Sequence, residues 1–211
     1  MKKVLFQGDS ITDGTRFKDQ PTHMGSGYPC LAGSKMGRLY PGEYEFINRA
    51  ISGNKVTDLL PRWKRDCINI KPDYLSILIG VNDVWHELVY HDGTDTETFK
   101  QVYDILLRNT IEALPDTHIV LMEPYVMDDA LDEADREFFK TQVAEKREAV
   151  RELAAKYHLK TIPLQDILDE AKKEASSLYW TVEGVHPTYA GHQIICDAWV
   201  EAFEAWRNNE H

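Results

Sequence analysis

Four short stretches of the chain carry residues suited to chemistry, and each follows a predicted strand or precedes a predicted helix. They are Gly8-Asp9-Ser10, Ser52-Gly53-Asn54, Gly80-Val81-Asn82-Asp83 and Glu183-Gly184-Val185-His186. A serine hydroxyl is a weak nucleophile until a base within hydrogen-bond reach takes its proton, and a neutral histidine suits that role near pH 7. Ser10 and His186 therefore predict a nucleophile and its general base for acyl transfer.

Acyl transfer also needs hydrogen-bond donors for the oxyanion of the tetrahedral intermediate. The backbone N–H groups of Ser10 and Gly53 and the side-chain amide of Asn82 are suitable, and together they form the predicted oxyanion hole. Glycine at position 53 lets a substrate oxygen approach the backbone closely. The first three stretches follow successive predicted strands, so we expect them to meet at one edge of a sheet.

Each of these residues also has a purely structural explanation. Gly53 fits a turn, Asn82 an Asx cap, and His186 a loop histidine whose hydrogen bonds are satisfied. Asp9 and Asp83 fit a structural role better than a catalytic one, because they can hold their loops by accepting backbone N–H bonds. The chemical prediction depends on the whole set occurring in one chain.

Alternating apolar runs and amphipathic stretches predict the scaffold that must position these residues. The predicted strands are residues 3–7, 44–48, 74–79, 118–122 and 159–163, the last at an edge because Pro163 lacks a ladder donor. Helices are predicted at 28–40, 55–70, 99–114, 133–158, 165–176 and 188–206, and polar rim loops at 12–28 and 84–96. Parallel crossovers place helices on both faces of a sheet, so we predict an α/β fold with three α/β/α layers and a single domain over residues 1–211.

The composition argues against several classes of partner. Among 211 residues, 24 Lys and Arg stand against 35 Asp and Glu, which gives a net charge of −11. An acidic chain without a basic stripe disfavours nucleic acid and anionic membrane surfaces. The three scattered cysteines lack disulfide or metal spacing, and the first apolar run is too short for a secretory leader. We expect a cytoplasmic protein without metal or cofactor, and the sequence leaves a homo-oligomer open.

Taken together, the four stretches resemble the sequence blocks of the SGNH hydrolases, the GDSL-type esterases. Gly8-Asp9-Ser10-Ile11-Thr12 matches the nucleophile block, Gly53 the glycine block, Gly80-Val81-Asn82-Asp83 the G-x-N-D block, and His186-Pro187 with Gly191-His192 the last block. The resemblance implies Ser10 as nucleophile, His186 as base, and Ser10, Gly53 and Asn82 as oxyanion donors. It also implies a flavodoxin-like fold with a five-stranded parallel sheet.

One position departs from the family pattern. The family usually has aspartate three residues before the histidine, and this chain has Glu183 there. The matched position implies Glu183 as the third member of a Ser-His-Glu triad. The alternative is a catalytic dyad in which the ring of His186 donates a hydrogen bond to a backbone carbonyl.

Two segments, Ile51-Ser52-Gly53-Asn54 and Asn82-Asp83-Val84-Trp85, most resemble bacterial acetylxylan esterases and related carbohydrate deacetylases. That resemblance implies a serine esterase that removes acetyl groups from a sugar or oligosaccharide through an acyl-enzyme on Ser10. Aromatic faces supply large contact areas for sugar rings, so the candidate substrate-binding residues are Trp85, Tyr179 and Trp180, with packing as the alternative for each. The competing functions are a lysophospholipase or thioesterase of the same family and a non-catalytic flavodoxin-like binding module.

Overall fold

The computed structural model describes residues 1–209, which contain a sheet of five strands. The strands are β1 (Lys2–Gly8), β2 (Tyr44–Asn48), β3 (Tyr74–Leu78), β4 (His118–Met122) and β5 (Lys160–Ile162). Their order across the sheet is β2-β1-β3-β4-β5, and every neighbouring pair is parallel. This is the flavodoxin-like order, and it confirms the predicted α/β fold with β5 at an edge.

Helices connect the strands and cover both faces of the sheet. They are α1 (Ser10–Asp13), α2 (Tyr28–Leu39), α3 (Val56–Leu59), α4 (Val81–Tyr90), α5 (Thr96–Ala113), α6 (Glu133–Tyr157), α7 (Leu164–Ala171), α8 (Ser177–Trp180) and α9 (Tyr189–Asn209). Short 3₁₀ helices occur at Leu60–Arg62 and Asp128–Ala130, and a π-helix occurs at Lys64–Ile68. In the part of the chain that the structure describes, no helix is long and apolar enough to cross a membrane.

Two hydrophobic cores lie on opposite faces of the sheet because successive strand residues point to opposite sides. On one face, Phe6 of β1 packs against Trp199 of α9, with 4.9 Å between the ring centroids. On the other face, Leu5 belongs to a separate cluster with residues of α5 such as Phe99 and Leu106. Buried on both faces, the central strands are continuous apolar runs, which is why they were predictable from sequence.

The strand register brings the chemistry-bearing loops to one edge. Phe6 of β1 pairs with Asn48 at the end of β2, and Gly8 pairs with Leu78 at the end of β3. The segments that follow these strands begin at adjacent points beyond the carboxyl ends of β1, β2 and β3. Ligands of open parallel sheets bind in this crevice, where strand order reverses between β1 and β3.

Two predictions of local structure are wrong. The loop expected at 84–96 is largely α4, because Val81, Val84 and Leu88 recur at helical spacing and pack against the core despite the polar residues between them. The single helix expected at 55–70 is divided into α3, the 3₁₀ helix and the π-helix. Pro61 falls within the first turn of the 3₁₀ segment and contributes no backbone N–H, which interrupts the regular α-helical bonding.

Candidate active site

Ser10 stands at the start of a one-turn helix directly beyond the first strand. Asp9 is the N-cap of α1, and its carboxylate accepts a hydrogen bond of 3.0 Å from the Ile11 backbone N–H. This cap confirms the structural role predicted for Asp9. It turns the chain sharply after Gly8, so the half-buried Ser10 side chain emerges at the carboxyl edge of the sheet.

Ser10, His186 and Glu183 form a continuous hydrogen-bonded chain. The Ser10 hydroxyl lies 2.8 Å from His186 Nε2. On the other side of the ring, His186 Nδ1 contacts Glu183 Oε1. A carboxylate is acceptor only, so Nδ1 carries the ring proton and Nε2 is left to accept from the serine hydroxyl. Glu183 also accepts from the His186 backbone N–H at 3.1 Å, which fixes the loop as well as the ring.

The loop that carries the histidine, residues 181–187, is held by the segment that follows β4. The Tyr125 hydroxyl donates to the Val185 carbonyl at 2.8 Å. The Met127 backbone N–H donates to the Gly184 carbonyl at the same distance. These bonds attach a surface loop to the sheet, so His186 is oriented by the scaffold as well as by Glu183.

Gly53 lies in a tight turn that is fastened on both sides. Its φ of +82° is left-handed, a conformation that side chains disfavour, while space around its Cβ position is open. On one side, Ser52 donates through its backbone N–H and hydroxyl to Asp13, at 3.0 and 2.6 Å. On the other side, the Asn82 side-chain amide donates to the Asn54 carbonyl at 3.1 Å. An amide nitrogen carries two protons, so Asn82 keeps one for another acceptor.

The predicted oxyanion donors therefore come from three adjacent strand ends. Within residues 1–209, the backbone N–H groups of Ser10 and Gly53 donate to no other residue. Together with the second amide proton of Asn82, they offer donors at the edge where Ser10 emerges. Preorganised donors of this kind stabilise a developing negative charge without reorganisation cost.

Some residues that build the site had no recognisable function in the sequence. Asp13 binds the glycine turn and forms an ion pair with Arg16 at 3.5 Å, while Arg16 donates twice to the Ala50 carbonyl. His192, seen in the sequence only as part of a motif, accepts from the Tyr28 backbone N–H at 3.2 Å. Apart from the Asp13–Arg16 pair, these partners are distant in the chain, so residue spacing could not reveal them.

Two buried carboxyl groups lie beneath the site. Asp83 accepts from the Val56 backbone N–H at 3.1 and 3.2 Å, which confirms its predicted structural role. Burial raises the pKa of Asp83 to about 6 and, with the Asp83 charge adding to it, raises the pKa of Asp9 to about 7. One oxygen of Asp9 is buried without a hydrogen-bond partner. The charge of Asp9 adds to burial in raising the pKa of Tyr28 and of Tyr125, which therefore lie near it.

We expect Asp9→Asn to gain stability relative to wild type as pH rises from about 4 to 7. Because the pKa of Asp9 is raised in the folded protein, the folded protein keeps a proton that the unfolded chain loses in this window. The free energy of unfolding of the wild type therefore falls as pH rises. Asparagine retains the oxygen that caps Ile11 but does not ionise. Urea denaturation at several pH values measures the difference in unfolding free energy, which can grow by at most about 1.4 kcal/mol per pH unit.

Asp116→Asn, an exposed replacement of the same kind, serves as the control for this measurement. A difference between Asp9→Asn and wild type that stays constant across the pH range would contradict the assignment of a raised pKa to Asp9.

A cavity of about 200 Å³ opens beside the triad carboxylate. Its lining combines apolar and acidic side chains: Trp85, Leu88, Val89, Ala130, Leu131, Asp132, Asp135, Phe139 and Glu183. Trp85 packs edge-on against Phe139, and its ring centroid lies 6.2 Å from that of His186. Of the three aromatic candidates from the sequence, Trp85 is thus the one that the structure brings to the triad.

The other two aromatic candidates lie elsewhere. Trp180 is buried, with 9% of its surface exposed, and its indole N–H donates to the Ala171 carbonyl at 3.0 Å. This leaves no free ring face for a sugar, so we assign Trp180 to packing. Tyr179 is half exposed and packs edge-on against Trp180, and none of its described contacts reaches the triad.

The described side chains do not form a metal site. Within residues 1–209, no group of three or more His, Cys, Asp or Glu residues is arranged to hold a metal ion. The three cysteines are free thiols, and burial raises the pKa of Cys67 to about 12.

Comparison with known proteins agrees with this geometry. The family model described as GDSL-like lipase/acylhydrolase matches residues 6–194. An acetylxylan esterase from Geobacillus stearothermophilus is 30% identical over 208 residues, which cover 94% of this chain and 92% of that protein.

Solved structures show the same relationship. A protein from Parabacteroides merdae described as a GDSL-like lipase superposes with a TM-score of 0.90 at 38% identity, covering 95% of this chain and 94% of its own. Axe2, an acetylxylan esterase from Geobacillus stearothermophilus, superposes with a TM-score of 0.85 at 27% identity. The match covers 95% of this chain and 93% of Axe2. Catalytic mutants of Axe2 at a serine, an aspartate and a histidine have also been solved. The chain belongs to the GDSL-like lipase/acylhydrolase family and is a carboxylic ester hydrolase.

Proposed function

We propose that this esterase removes acetyl groups from neutral carbohydrates through an acyl-enzyme on Ser10. The observation that carries the proposal is the hydrogen-bonded chain from Ser10 through His186 to Glu183, with a cavity lined by Trp85 beside it. The catalytic mutants of Axe2 support the assignment, because they concern a serine, a histidine, and an aspartate three residues before that histidine. Glu183 has the same spacing to His186.

Acylation begins when Ser10 Oγ attacks the ester carbonyl carbon and its proton passes to His186 Nε2. The 2.8 Å separation already places the two atoms at hydrogen-bond distance. Glu183 holds the Nδ1 proton and stabilises the imidazolium that forms. The intermediate then collapses, the bond to the alcohol oxygen breaks, and His186 returns the proton to that oxygen.

The carbonyl oxygen becomes negatively charged in the intermediate. We assign its stabilisation to the backbone N–H groups of Ser10 and Gly53 and the side-chain amide of Asn82. The Asn82–Asn54 bond and the Asp13–Ser52 bonds keep the glycine turn in place, so the donors need no rearrangement during the reaction.

Deacylation repeats these steps with water as the nucleophile. His186 removes a proton from water, the hydroxide attacks the acetyl carbonyl, and Ser10 leaves as its hydroxyl after regaining the proton. Acetate is released and the free enzyme is restored. Ser10, His186 and the attacking water supply every proton donor and acceptor that these two half-reactions require.

The cavity is suited to binding a small neutral alcohol that carries several hydroxyl groups. Trp85 offers an apolar surface for a sugar ring, and the nearby carboxylates Asp132 and Asp135 are acceptors for sugar hydroxyl groups. The carboxylates in the lining and a volume of about 200 Å³ favour a small polar group in this cavity over a bulky apolar one. The acetylxylan esterase relative is consistent with this choice over a lysophospholipase.

A panel of esters tests the proposal directly. Released acid is measured for acetylated xylo-oligosaccharides and for 4-nitrophenyl esters of two to twelve acyl carbons, chain lengths chosen to span roughly the range from acetate to fatty acids. We expect turnover of the acetylated sugars and a steep loss of kcat/KM as the acyl chain lengthens. Preference for the longest esters, with acetylated sugars inert, would reject the proposed substrate class.

We expect Glu183→Gln to lower kcat by about a thousandfold or more and Glu183→Asp by about tenfold. Glutamine is neutral, and its amide can donate to Nδ1 and so favour the wrong tautomer of His186. Aspartate retains the charge and the acceptor but is shorter by one methylene. Steady-state kinetics with 4-nitrophenyl acetate measure both losses.

Glu112→Gln on the exposed face of α5 is the matched control and should keep wild-type kcat. Small and equal losses in Glu183→Gln and Glu183→Asp would instead favour a dyad of Ser10 and His186.

A further inference from the structure

His192 is the second histidine of the last sequence block, and the proposed reaction does not use it. It lies in the first turn of α9, shortly after His186, and its ring packs against the backbone at Gly27. A Cβ added to Gly27 would lie 2.9 Å from His192 Cε1 and 3.2 Å from the Ile11 carbonyl oxygen. Glycine at position 27 therefore makes room for the ring next to the first turn of α1, where Ser10 stands.

The tautomer of His192 follows from its one protein hydrogen bond. The Tyr28 backbone N–H is a donor, so His192 Nδ1 must be the acceptor, and the neutral ring carries its proton on Nε2. This bond caps α2, whose N-cap Gly27 has no side chain to do so. Nε2–H finds no acceptor within residues 1–209. It is accessible to solvent and not buried without a partner.

His192 is also held in its neutral form. Burial and, to a lesser degree, the charge of His186 lower the pKa of His192 from 6.5 to about 4. Because Nε2 already carries a proton, His192 cannot replace His186 as the base for Ser10. It presents a single uncharged donor on a ring that the Tyr28 bond holds in place, close enough to His186 for the charge of that residue to affect its pKa.

We propose that His192 Nε2–H binds the hydroxyl next to the acetylated carbon of the substrate alcohol. The proposal rests on the function proposed above. His186 must deliver its proton to the alcohol oxygen, so groups flanking His186 meet the alcohol. The oxyanion donors from the loops after β2 and β3 instead hold the acyl oxygen. A fixed neutral donor discriminates alcohols that carry a neighbouring hydroxyl from those that lack one.

Two acetates that differ in one hydroxyl test the proposal: the monoacetate of 1,2-cyclohexanediol and cyclohexyl acetate. The readout is the ratio of their kcat/KM values in wild type, His192→Asn and His192→Gln. Asparagine keeps an acceptor near the position of Nδ1, and hence the Tyr28 bond, but no donor near Nε2. Glutamine places an amide N–H near Nε2. We expect His192→Asn to lower the ratio about tenfold, the value of one hydrogen bond, and His192→Gln to lower it less.

A control variant makes the same substitution elsewhere. His91 caps the end of α4 with a left-handed backbone that asparagine tolerates, so His91→Asn should keep the wild-type ratio. An equal fall in both kcat/KM values of His192→Asn, together with a lower Tm, would show that His192 only caps α2 and would overturn the proposal. Failure of wild type to hydrolyse cyclohexyl acetate and every other acetate would overturn the esterase mechanism itself.

Discussion

Ser10→Ala is expected to lower kcat for 4-nitrophenyl acetate by at least about a thousandfold while leaving the protein folded. The reason is that Ser10 Oγ is the hydroxyl that lies 2.8 Å from His186 Nε2. Without the nucleophile, the oxyanion donors can only assist direct attack by water. The loss of one half-buried hydrogen bond costs about 1 kcal/mol of folding free energy, so Tm should change by only a few degrees.

Ser34→Ala provides the matched control, since Ser34 is exposed on α2. Its kcat should equal that of wild type. Mass spectrometry of wild type quenched during turnover should show one added acetyl group, and the same group should be missing from Ser10→Ala. Turnover by Ser10→Ala at a rate near wild type would reject Ser10 as the nucleophile and, with it, the acyl-enzyme.

Asn82→Ala is expected to lower kcat by about a hundred- to a thousandfold, the effect of removing one oxyanion donor in other hydrolases. The loss should fall on kcat more than on KM, because the donor binds the charge that develops in the transition state. Asn82→Asp makes a sharper test. It keeps the size of the side chain but puts a carboxylate, an acceptor with negative charge, where the oxyanion forms.

The hydrogen bond from Asn82 to Asn54 adds a structural contribution that must be separated from the electrostatic one. Its removal costs about 1 kcal/mol of folding free energy, and urea denaturation of both variants measures this. Asn109→Ala on the exposed face of α5 is the control for loss of an amide. If Asn82→Ala and Asn82→Asp lose less than about threefold in kcat, the oxyanion charge is stabilised elsewhere.

Residues 44–48 and 118–122 form strands with the bounds predicted from the sequence. Residues 118–122 form a short apolar run, as burial on both faces of a parallel sheet requires. Residues 44–48 form an edge strand that includes the exposed Glu45, so only part of this strand is buried. The helix α4 was not predicted because its polar and aromatic composition resembles a loop. Its helical signal is the spacing of Val81, Val84 and Leu88. This spacing favours a helix strongly only when a core is present against which these side chains pack.

The sequence by itself determined the family, the parallel sheet and the edge at which Ser10, Gly53 and Asn82 meet. This was possible because residues that follow successive parallel strands must emerge at the same side of the sheet, whatever the details of packing. Local apolar patterns and short motifs are enough for such conclusions.

Only the tertiary structure decided which atoms touch. It directed Glu183 to His186 Nδ1 in place of a backbone carbonyl, brought Asp13 to the Gly53 turn, and set His192 against Tyr28. It also separated Trp85, beside the triad, from Trp180, buried against α7. These pairings join distant parts of the chain, and they depend on how helices pack and loops close, which neither spacing nor residue type specifies.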